Sequence, residues 1–143
     1  MKYFLLPLVF FLFSCNDRFP EEEIENMNGY WMISKMQTES GDVREFKFAP
    51  TVDYIEIENK KGFRKKVKPR FDGTFIVTKD DENITVKVEN DSINLYYTTK
   101  MDEWKETLIS SNENQLIFAN EDGRQYIYER YEGILTETDG KTK

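Results

Sequence analysis

Short apolar runs separated by tight turns fill the chain from Gly29 onward and constrain its fold more than any other feature. The runs are rich in β-branched and aromatic residues, and apolar and polar side chains alternate in several of them, which is typical of strands with one buried face. The candidate strands are YWMISKMQT, VDYIEIE, GFRKKVK, FDGTFIVT, NITVKVE, SINLYYTT, EWKETLIS, QLIFA and RQYIYERY. Between them, no segment has the apolar spacing of a helix longer than a turn or two.

The connections between these candidate strands indicate antiparallel neighbours. NKKG, KDDEN, NDS, SNEN and NEDG supply the Gly, Asn and Asp residues that tight turns use. Parallel strands would need crossovers of about a dozen residues or more, usually helical. An open sheet of this size would expose two edges and one apolar face. We therefore expect an all-β fold, an antiparallel up-and-down meander of eight or nine strands that closes into a small barrel.

Alternation within each run predicts which side chains face the barrel interior, because a slip of one residue would turn each set outward. The predicted inward positions are Trp31, Ile33, Ile55, Ile57, Phe75, Val77, Ile84, Val86, Val88, Ile93, Leu95, Trp104, Leu108, Leu116, Phe118, Tyr126 and Tyr128. The first connection, Thr38 to Thr51, is long and contains Val43, Phe46 and Phe48. Loops of this length are usually disordered or functional. Its aromatic residues predict that it folds over one end of the barrel.

The first fourteen residues have the three zones of a secretory signal peptide, namely Lys2, an apolar run from Tyr3 to Phe13, and the small residue Ser14. The apolar run is about half as long as the roughly 20 residues that a membrane-spanning helix needs. The segment LFSC, which ends at Cys15, resembles the lipobox of bacterial lipoproteins. The resemblance implies an exported protein held by a lipid on Cys15, in the cell envelope and more specifically the outer membrane of a Gram-negative bacterium. The alternative is a free or buried thiol.

These features divide the chain into a signal peptide (1–14), a lipidated cysteine with an acidic tether (15–28), a β domain (29–132) and a polar C-terminal tail (133–143). The tether is acidic and offers few apolar groups to bury, although Ile24 and Met27 are compatible with one short helical turn. The β domain has the size of a single domain. With one cysteine the chain forms no intrachain disulfide, so its apolar core must hold the fold. We also expect the protein to be a monomer.

The segment NGYWMISKM, in which Gly29 precedes Trp31 by two residues, resembles the Gly-x-Trp signature of lipocalins and of lipocalin-like bacterial lipoproteins. The resemblance implies that Trp31 plugs one end of the barrel and that an arginine near the last strand packs over its ring. Arg130 is the candidate for that arginine, and Arg124 is the second choice. The alternative is that Trp31 is an ordinary aromatic residue of the core.

Several classes of enzyme are excluded by what the chain lacks. It contains no histidine, which rules out a Ser-His-Asp relay, a Cys-His pair and histidine-based metal sites. Asp102, Glu103 and Glu106 read as the polar face of a turn and a strand rather than as acid–base pairs. We therefore predict no enzymatic activity, no cofactor and no metal. The net charge of −7 argues against nucleic acid as a partner.

Aromatic residues in the predicted barrel form a candidate ligand cavity, comprising Phe75, Tyr97, Trp104, Tyr126 and Tyr128. A few polar groups on apolar walls are typical of small-molecule sites. The alternative is core packing, with the hydroxyl groups reaching the barrel ends. Two function classes follow: a module that binds a small apolar or amphipathic ligand, or a structural or accessory envelope lipoprotein with a filled barrel that acts through protein or anionic-lipid contacts.

The segment KKGFRKKVKPR is strongly basic in an otherwise acidic chain. Strand alternation predicts that Arg64, Lys66 and Lys68 project outward in one row. Such a row is a candidate anion patch for phospholipid or lipopolysaccharide headgroups, because each cation adds about 1 kcal/mol near an anionic leaflet. The alternative is a solvated strand whose charges discourage edge pairing or neutralise Glu56 and Glu58.

Overall fold

The computed structural model describes residues 19–133. The signal peptide, Cys15 and residues 134–143 lie outside this range, so the predictions made for them stay predictions. The elements are α1 (Pro20–Asn26), β1 (Gly29–Gln37), β2 (Val43–Glu45), β3 (Val52–Glu58), β4 (Lys61–Pro69), β5 (Phe75–Glu89), β6 (Ser92–Thr98), β7 (Glu103–Ser111), β8 (Gln115–Asn120) and β9 (Gln125–Arg130). Within residues 19–133, no helix is long and apolar enough to cross a membrane.

An antiparallel meander closes into a barrel because β1 pairs with two distant strands at once. The sheet runs in the order β2-β1-β3-β4-β5-β6-β7-β8-β9, and β1 also pairs with β9. β1 and β3 to β9 therefore form a closed barrel of eight strands, which confirms the predicted fold class. β2 stands outside this barrel and pairs with the last residues of β1, from Lys35 to Gln37.

The core fills the barrel interior with one alternating set of side chains from each strand. Eleven of the predicted inward positions are buried, namely Trp31, Ile55, Ile57, Ile84, Val86, Ile93, Leu95, Leu108, Leu116, Phe118 and Tyr128. Val52, Val67 and Tyr97 are buried as well, although they are not among the predicted inward positions. Ile33, Trp104 and Tyr126 are half-buried against the same cluster. Burying each large apolar side chain contributes about 1.5–3 kcal/mol, so this set holds a fold that has no disulfide.

The two candidate strands FDGTFIVT and NITVKVE are one long strand, β5, and the predicted turn at KDDEN is wrong. The turn lies earlier, where the backbone N–H of Arg70 donates to the carbonyl of Thr74 at 2.8 Å and Gly73 has a φ of +83°. The acidic residues of KDDEN pair instead with the basic strand β4. Asp81 lies opposite Lys65, and their side chains form an ion pair at 3.3 Å.

A register shift in the β4–β5 pair makes two predicted core positions wrong. Between Lys65 and Val67, β4 advances by two residues while β5 advances by four. Beyond this irregularity the hairpin bends out of the barrel wall. Phe75 therefore stacks on the outside of the barrel, and Val77 is 59 % exposed. Val88, predicted to face inward, is also exposed, because it lies at the rim near the β5–β6 turn.

The long first connection does not cover an end of the barrel, contrary to the prediction. Its middle forms β2, and the backbone N–H of Phe46 donates to the carbonyl of Ser34 at 2.8 Å. β1 leaves β3 after Trp31, so its outer edge is free to pair with β2. Val43 and Phe48 remain exposed.

The acidic segment before β1 is not a solvated tether over its whole length. α1 begins with Pro20 in its first turn and places three glutamates there, where the helix dipole favours negative charge. Ile24 and Met27 are buried in the core cluster. The hydroxyl of Ser111 donates to the carbonyl of Glu23 at 2.9 Å. α1 therefore covers one end of the barrel, and only the residues before it remain as a candidate tether.

Candidate functional site

One end of the barrel is plugged by Trp31, which is fully buried. Its indole N–H donates to the carbonyl of Met27 at 2.8 Å, which ties the plug to the segment after α1. The guanidinium carbon of Arg130 lies 4.1 Å from the centroid of the indole ring. The structure thus brings together the tryptophan and the arginine that the resemblance implies, whereas Arg124 lies at the β8–β9 turn.

Arg130 also ties three chain segments together at this closed end. Its guanidinium donates to the carbonyls of Asn26 at 3.1 Å and Asn28 at 3.0 Å, and to that of Glu113. Gly29 lies directly below it with a φ of +123°, and a Cβ there would come within 2.6 Å of Arg130 Nη1. The backbone conformation therefore favours glycine at this position, and a Cβ would also displace the end of the Arg130 side chain, which is held there by hydrogen bonds.

At the other end, the interior holds a group of polar side chains, Arg64, Glu82, Tyr97 and Glu106, which we call the mouth cluster. Arg64 is only 9 % exposed. Its Nε donates to Glu82 Oε2 at 2.6 Å, and its Nη1 lies 3.4 Å from both Glu106 Oε2 and the hydroxyl of Tyr97. These contacts neutralise a cation that the barrel wall has removed from water.

The predicted outward row of Arg64, Lys66 and Lys68 is wrong. Arg64 lies opposite Ile55 of β3, and cross-strand partners share a face, so the buried isoleucine places Arg64 inside. Lys66 Nζ bonds to Asp53 Oδ1 at 2.8 Å, and Asp53 is itself buried. Of the three cations, only Lys68 is exposed with no ion pair among the described residues. The three do not form one patch.

Three flat groups stack at the mouth. The guanidinium carbon of Arg64 lies 4.6 Å from the centroid of the Tyr97 ring, and Tyr97 stacks on Trp104 with centroids 5.1 Å apart and planes 7° apart. Tyr97 and Trp104 border a cleft of about 340 Å³. Glu82 borders a second cleft of about 680 Å³, which extends to Thr99 and Met101. The mouth cluster therefore meets open space on two sides.

Burial determines the protonation states in the mouth cluster. It raises the pKa of Tyr97 well above its usual value, although the charge of Arg64 opposes this shift. It raises the pKa of Tyr128 in the same way. For Arg64 burial would lower the pKa, but Tyr97 and Glu106 outweigh burial and hold it well above its usual value. The site thus presents a fixed cation and neutral phenols at physiological pH.

The other predicted cavity residues, Phe75, Tyr126 and Tyr128, do not belong to the mouth cluster. Tyr128 is buried beside Phe118, with ring centroids 6.0 Å apart, and Tyr126 is half-buried in the same cluster. Phe75 is outside the barrel. Sequence reasoning missed Glu106 as an interior residue, although it lies between Trp104 and Leu108 on the face predicted to point inward. Because it lies two residues from each of them on the same strand, its inward direction could have been predicted from the sequence.

The site has the means to recognise a polar group but no evident metal-binding set. Within residues 19–133, no group of three acidic or cysteine side chains is placed to hold a metal ion. The carboxylates of Glu82 and Glu106 accept hydrogen bonds, the guanidinium and the neutral phenol of Tyr97 donate them, and Trp104 offers a flat apolar surface.

A closed antiparallel barrel with one plugged end and one polar mouth defines a class of small β-barrel proteins that includes the lipocalins. The chain belongs to the lipocalin-like domain family, whose model matches residues 27–118. Members of such families are typically binding proteins rather than enzymes. No curated protein matches the sequence.

Solved structures of similar fold include two from Bacteroides species. A lipocalin-like protein from Bacteroides uniformis is 10 % identical, with 74 % of this chain and 99 % of that chain covered and a TM-score of 0.48. An uncharacterized protein from Bacteroides eggerthii is 11 % identical, with 73 % and 99 % covered and a TM-score of 0.47. Apocrustacyanin C1 is 9 % identical, with 78 % and 68 % covered and a TM-score of 0.43.

Proposed function

We propose that the barrel binds a small amphipathic ligand at its mouth, with the polar part of the ligand at the mouth cluster. The buried charge of Arg64 between Glu82 and Glu106 carries this proposal. Removing charges from water costs several kcal/mol per ion, and apolar residues of similar volume often give an equally stable core. Stability alone therefore does not explain why these charged residues lie in the interior, whereas recognition of a polar group does.

The geometry also favours a class of ligand. Two carboxylates face one guanidinium in the mouth cluster, so acceptors exceed fixed cations there. A hydroxyl or ammonium group on the ligand would satisfy those acceptors. A flat apolar body would lie against Trp104, which is half-buried beside the cleft. The ligand that fits best is thus an apolar molecule with one hydrogen-bond-donating end.

A ligand screen with variants tests the proposal. Fatty acids, sterols, haem-like compounds and long-chain amines are titrated while the tryptophan fluorescence, to which Trp31 and Trp104 both contribute, and the melting temperature are measured. Glu106→Gln should weaken binding of the best ligand by about tenfold or more, because a hydrogen bond to a charged group is worth about 1.5–3 kcal/mol. Glu129→Gln, an exposed change on β9, should leave affinity unchanged. If no compound changes either signal, or if both variants bind alike, the proposal is wrong.

A filled barrel in a structural or accessory envelope lipoprotein is the second candidate function. Large buried side chains, including Phe118, Leu95 and Tyr128, occupy the interior between the plug and the mouth, and they favour this candidate. A ligand that entered deeply would have to displace them. Failure of every compound in the screen would support this candidate over the first.

We also propose that Cys15 carries a lipid that anchors the protein in the outer membrane. The position of the single cysteine directly after Ser14 supports this proposal. Cys15→Ser should release the protein from membranes or leave the precursor uncut, as seen by fractionation and by the size of the product. Ser14→Ala, a small-for-small change, should be processed normally. Normal processing and membrane recovery of Cys15→Ser would contradict the lipid anchor.

A further inference from the structure

The β4–β5 hairpin beyond the register shift, residues 67–77, forms an arm on the outside of the barrel. It displays an unusual amount of apolar surface. Nine large apolar side chains are exposed in the described part of the chain, and three of them, Phe71, Ile76 and Val77, belong to this arm. Phe71, in the turn of the arm, is 91 % exposed.

The arm is held firmly, so the exposure of Phe71 does not come from a loose loop. Phe75 stacks on Tyr30 with centroids 4.6 Å apart and planes 5° apart, and it meets the edge of Tyr131 at 6.3 Å. In the turn, Asp72 Oδ1 accepts hydrogen bonds from the backbone N–H of Thr74 at 2.9 Å and from its hydroxyl at 2.6 Å. The arm therefore presents Phe71 from a fixed base.

The arm carries two cations, Lys68 and Arg70, and one anion, Asp72, so its net charge is positive and complementary to an anionic surface. Lys68 and Arg70 are both exposed, and neither forms an ion pair with any side chain that the structure describes. They stand in a chain whose net charge is −7. Exposed cations beside exposed apolar side chains match a phospholipid surface, because the cations bind phosphates while the apolar groups enter the boundary between headgroups and acyl chains.

The arm also lies near the end of the barrel from which an anchor would extend, and this step rests on the proposed lipid on Cys15. Phe71 and Thr74 border one recess with Tyr131, the residue after Arg130. Arg130 binds the carbonyl of Asn26 at the end of α1. Cys15 precedes α1 by only a few residues, each of which spans at most about 3.6 Å. A lipid on Cys15 would therefore hold this end of the barrel close to the bilayer.

We propose that the arm docks on an anionic phospholipid bilayer, with Phe71 inserted between headgroups and with Lys68 and Arg70 on phosphates. The arm is a second point of contact beside the N-terminal anchor. Two contacts fix the orientation of the barrel on the membrane, whereas a single point of attachment would leave it free to rotate. This role is independent of ligand binding at the mouth.

Depth-dependent fluorescence quenching tests this contact in the full chain. Phe71→Trp protein is reconstituted into vesicles of phosphatidylcholine and phosphatidylglycerol that carry brominated acyl chains, and the signal of the parent protein is subtracted. Phe48→Trp is the matched control, because Phe48 is 82 % exposed but lies on the segment after β2. We expect Trp at position 71 to be quenched several-fold more than Trp at position 48, with a shift of its emission to shorter wavelength.

Removing the two cations and changing the lipid complete the test. Lys68→Gln with Arg70→Gln, in the Phe71→Trp background, should lose most of the quenching, and so should vesicles of phosphatidylcholine alone. Equal quenching at positions 71 and 48, or equal quenching in neutral and anionic vesicles, would overturn the proposal. A wavelength shift that grows with protein concentration in the absence of lipid would also overturn it, because a second copy would then cover the arm.

Failure of the arm is distinguishable from failure of the other proposals. Quenching is measured only on protein recovered with vesicles, so loss of the anchor appears as loss of recovery. Ligand affinity at the mouth is measured on the same Phe71→Trp protein. It should equal that of the parent protein whether or not the arm touches lipid.

Discussion

Gly29 illustrates how one residue can be required for two independent reasons. Its φ of +123° lies where side chains of L-residues are strained, and its missing Cβ leaves the space that Arg130 Nη1 occupies. From that position the Arg130 guanidinium packs over the Trp31 ring and donates to the carbonyl of Asn26 at the end of α1. The short Gly-x-Trp segment therefore encodes the contacts that close the barrel.

A pair of glycine variants separates the two reasons. Gly41 also has a positive φ, +96°, but a Cβ there would meet nothing within 4 Å. Gly41→Ala should therefore cost only backbone strain. Gly29→Ala should lower the free energy of unfolding by about 1–3 kcal/mol more, because it also displaces a charged hydrogen-bonding group. Urea denaturation measures both.

The additional destabilisation caused by Gly29→Ala should depend on the presence of Arg130. In an Arg130→Ala background, Gly29→Ala and Gly41→Ala should destabilise by similar amounts, as expected for residues that couple only through contact. If Gly29→Ala remained more costly without Arg130, the crowding at the closed end would have another cause.

At the scale of elements, local sequence rules predicted most strands but misplaced β5. Alternating apolar residues identified the strands from β6 to β9, because each turn between them contains Asn, Asp or Gly. FDG and KDDEN contain the same turn-forming residues, so local composition could not rank them. Only the pairing of β4 with β5 distinguishes them: folding at the FDG turn places Arg64 opposite Glu82 and Lys65 opposite Asp81.

The same pairing explains why the interior position of Arg64 could not be predicted from the sequence. Charged side chains usually remain in water, which led to the prediction that Arg64 points outward. Arginine is rarely buried unless it is paired, and its partners come from β5 and β7, which are distant in sequence. Glu106 was accessible to prediction because it shares the face of Trp104. Arg64 required the tertiary register to be known first.

Arg64→Met should therefore destabilise the β4–β5 pair strongly. It leaves Glu82 and Glu106 without their cation, and breaking a buried pair from one side costs about 3–5 kcal/mol. Adding Glu82→Gln and Glu106→Gln to the same protein should recover a large part of this loss, since neutral amides need no counter-charge. Urea denaturation of the single and triple variants measures the difference. A triple variant no more stable than Arg64→Met would show that the carboxylates are not the cause.

At the scale of the whole molecule, the barrel has two unlike ends. Trp31, Arg130 and α1 close one end with apolar packing and hydrogen bonds to backbone carbonyls. The mouth cluster at the other end keeps ionisable groups inside the wall. The stability of the mouth therefore depends on the protonation state of its buried groups.

Alkaline pH should destabilise the molecule through the buried phenols. Burial raises the pKa of Tyr97 and of Tyr128, and the ordinary pKa of tyrosine is about 10. Below pH ~10 both states keep these protons, so the stabilisation is fully present. Above pH ~10 the unfolded chain releases protons that the folded barrel retains, and the free energy of unfolding falls as the pH rises. Each retained proton contributes a slope of up to about 1.4 kcal/mol per pH unit.

Tyr97→Phe removes one of these protons and should make the alkaline decline shallower by up to that amount. The hydroxyl lies 3.4 Å from Arg64 Nη1 and also forms a hydrogen bond with Glu106, so its loss should lower stability near neutral pH by about 1–3 kcal/mol. Urea denaturation at a series of pH values measures the slope, and the ultraviolet absorbance of phenolate reports which tyrosines ionise before unfolding. If Tyr97→Phe left the alkaline slope unchanged, Tyr97 would already be ionised in the folded barrel, and the mouth would be far better hydrated than the burial of Arg64 indicates.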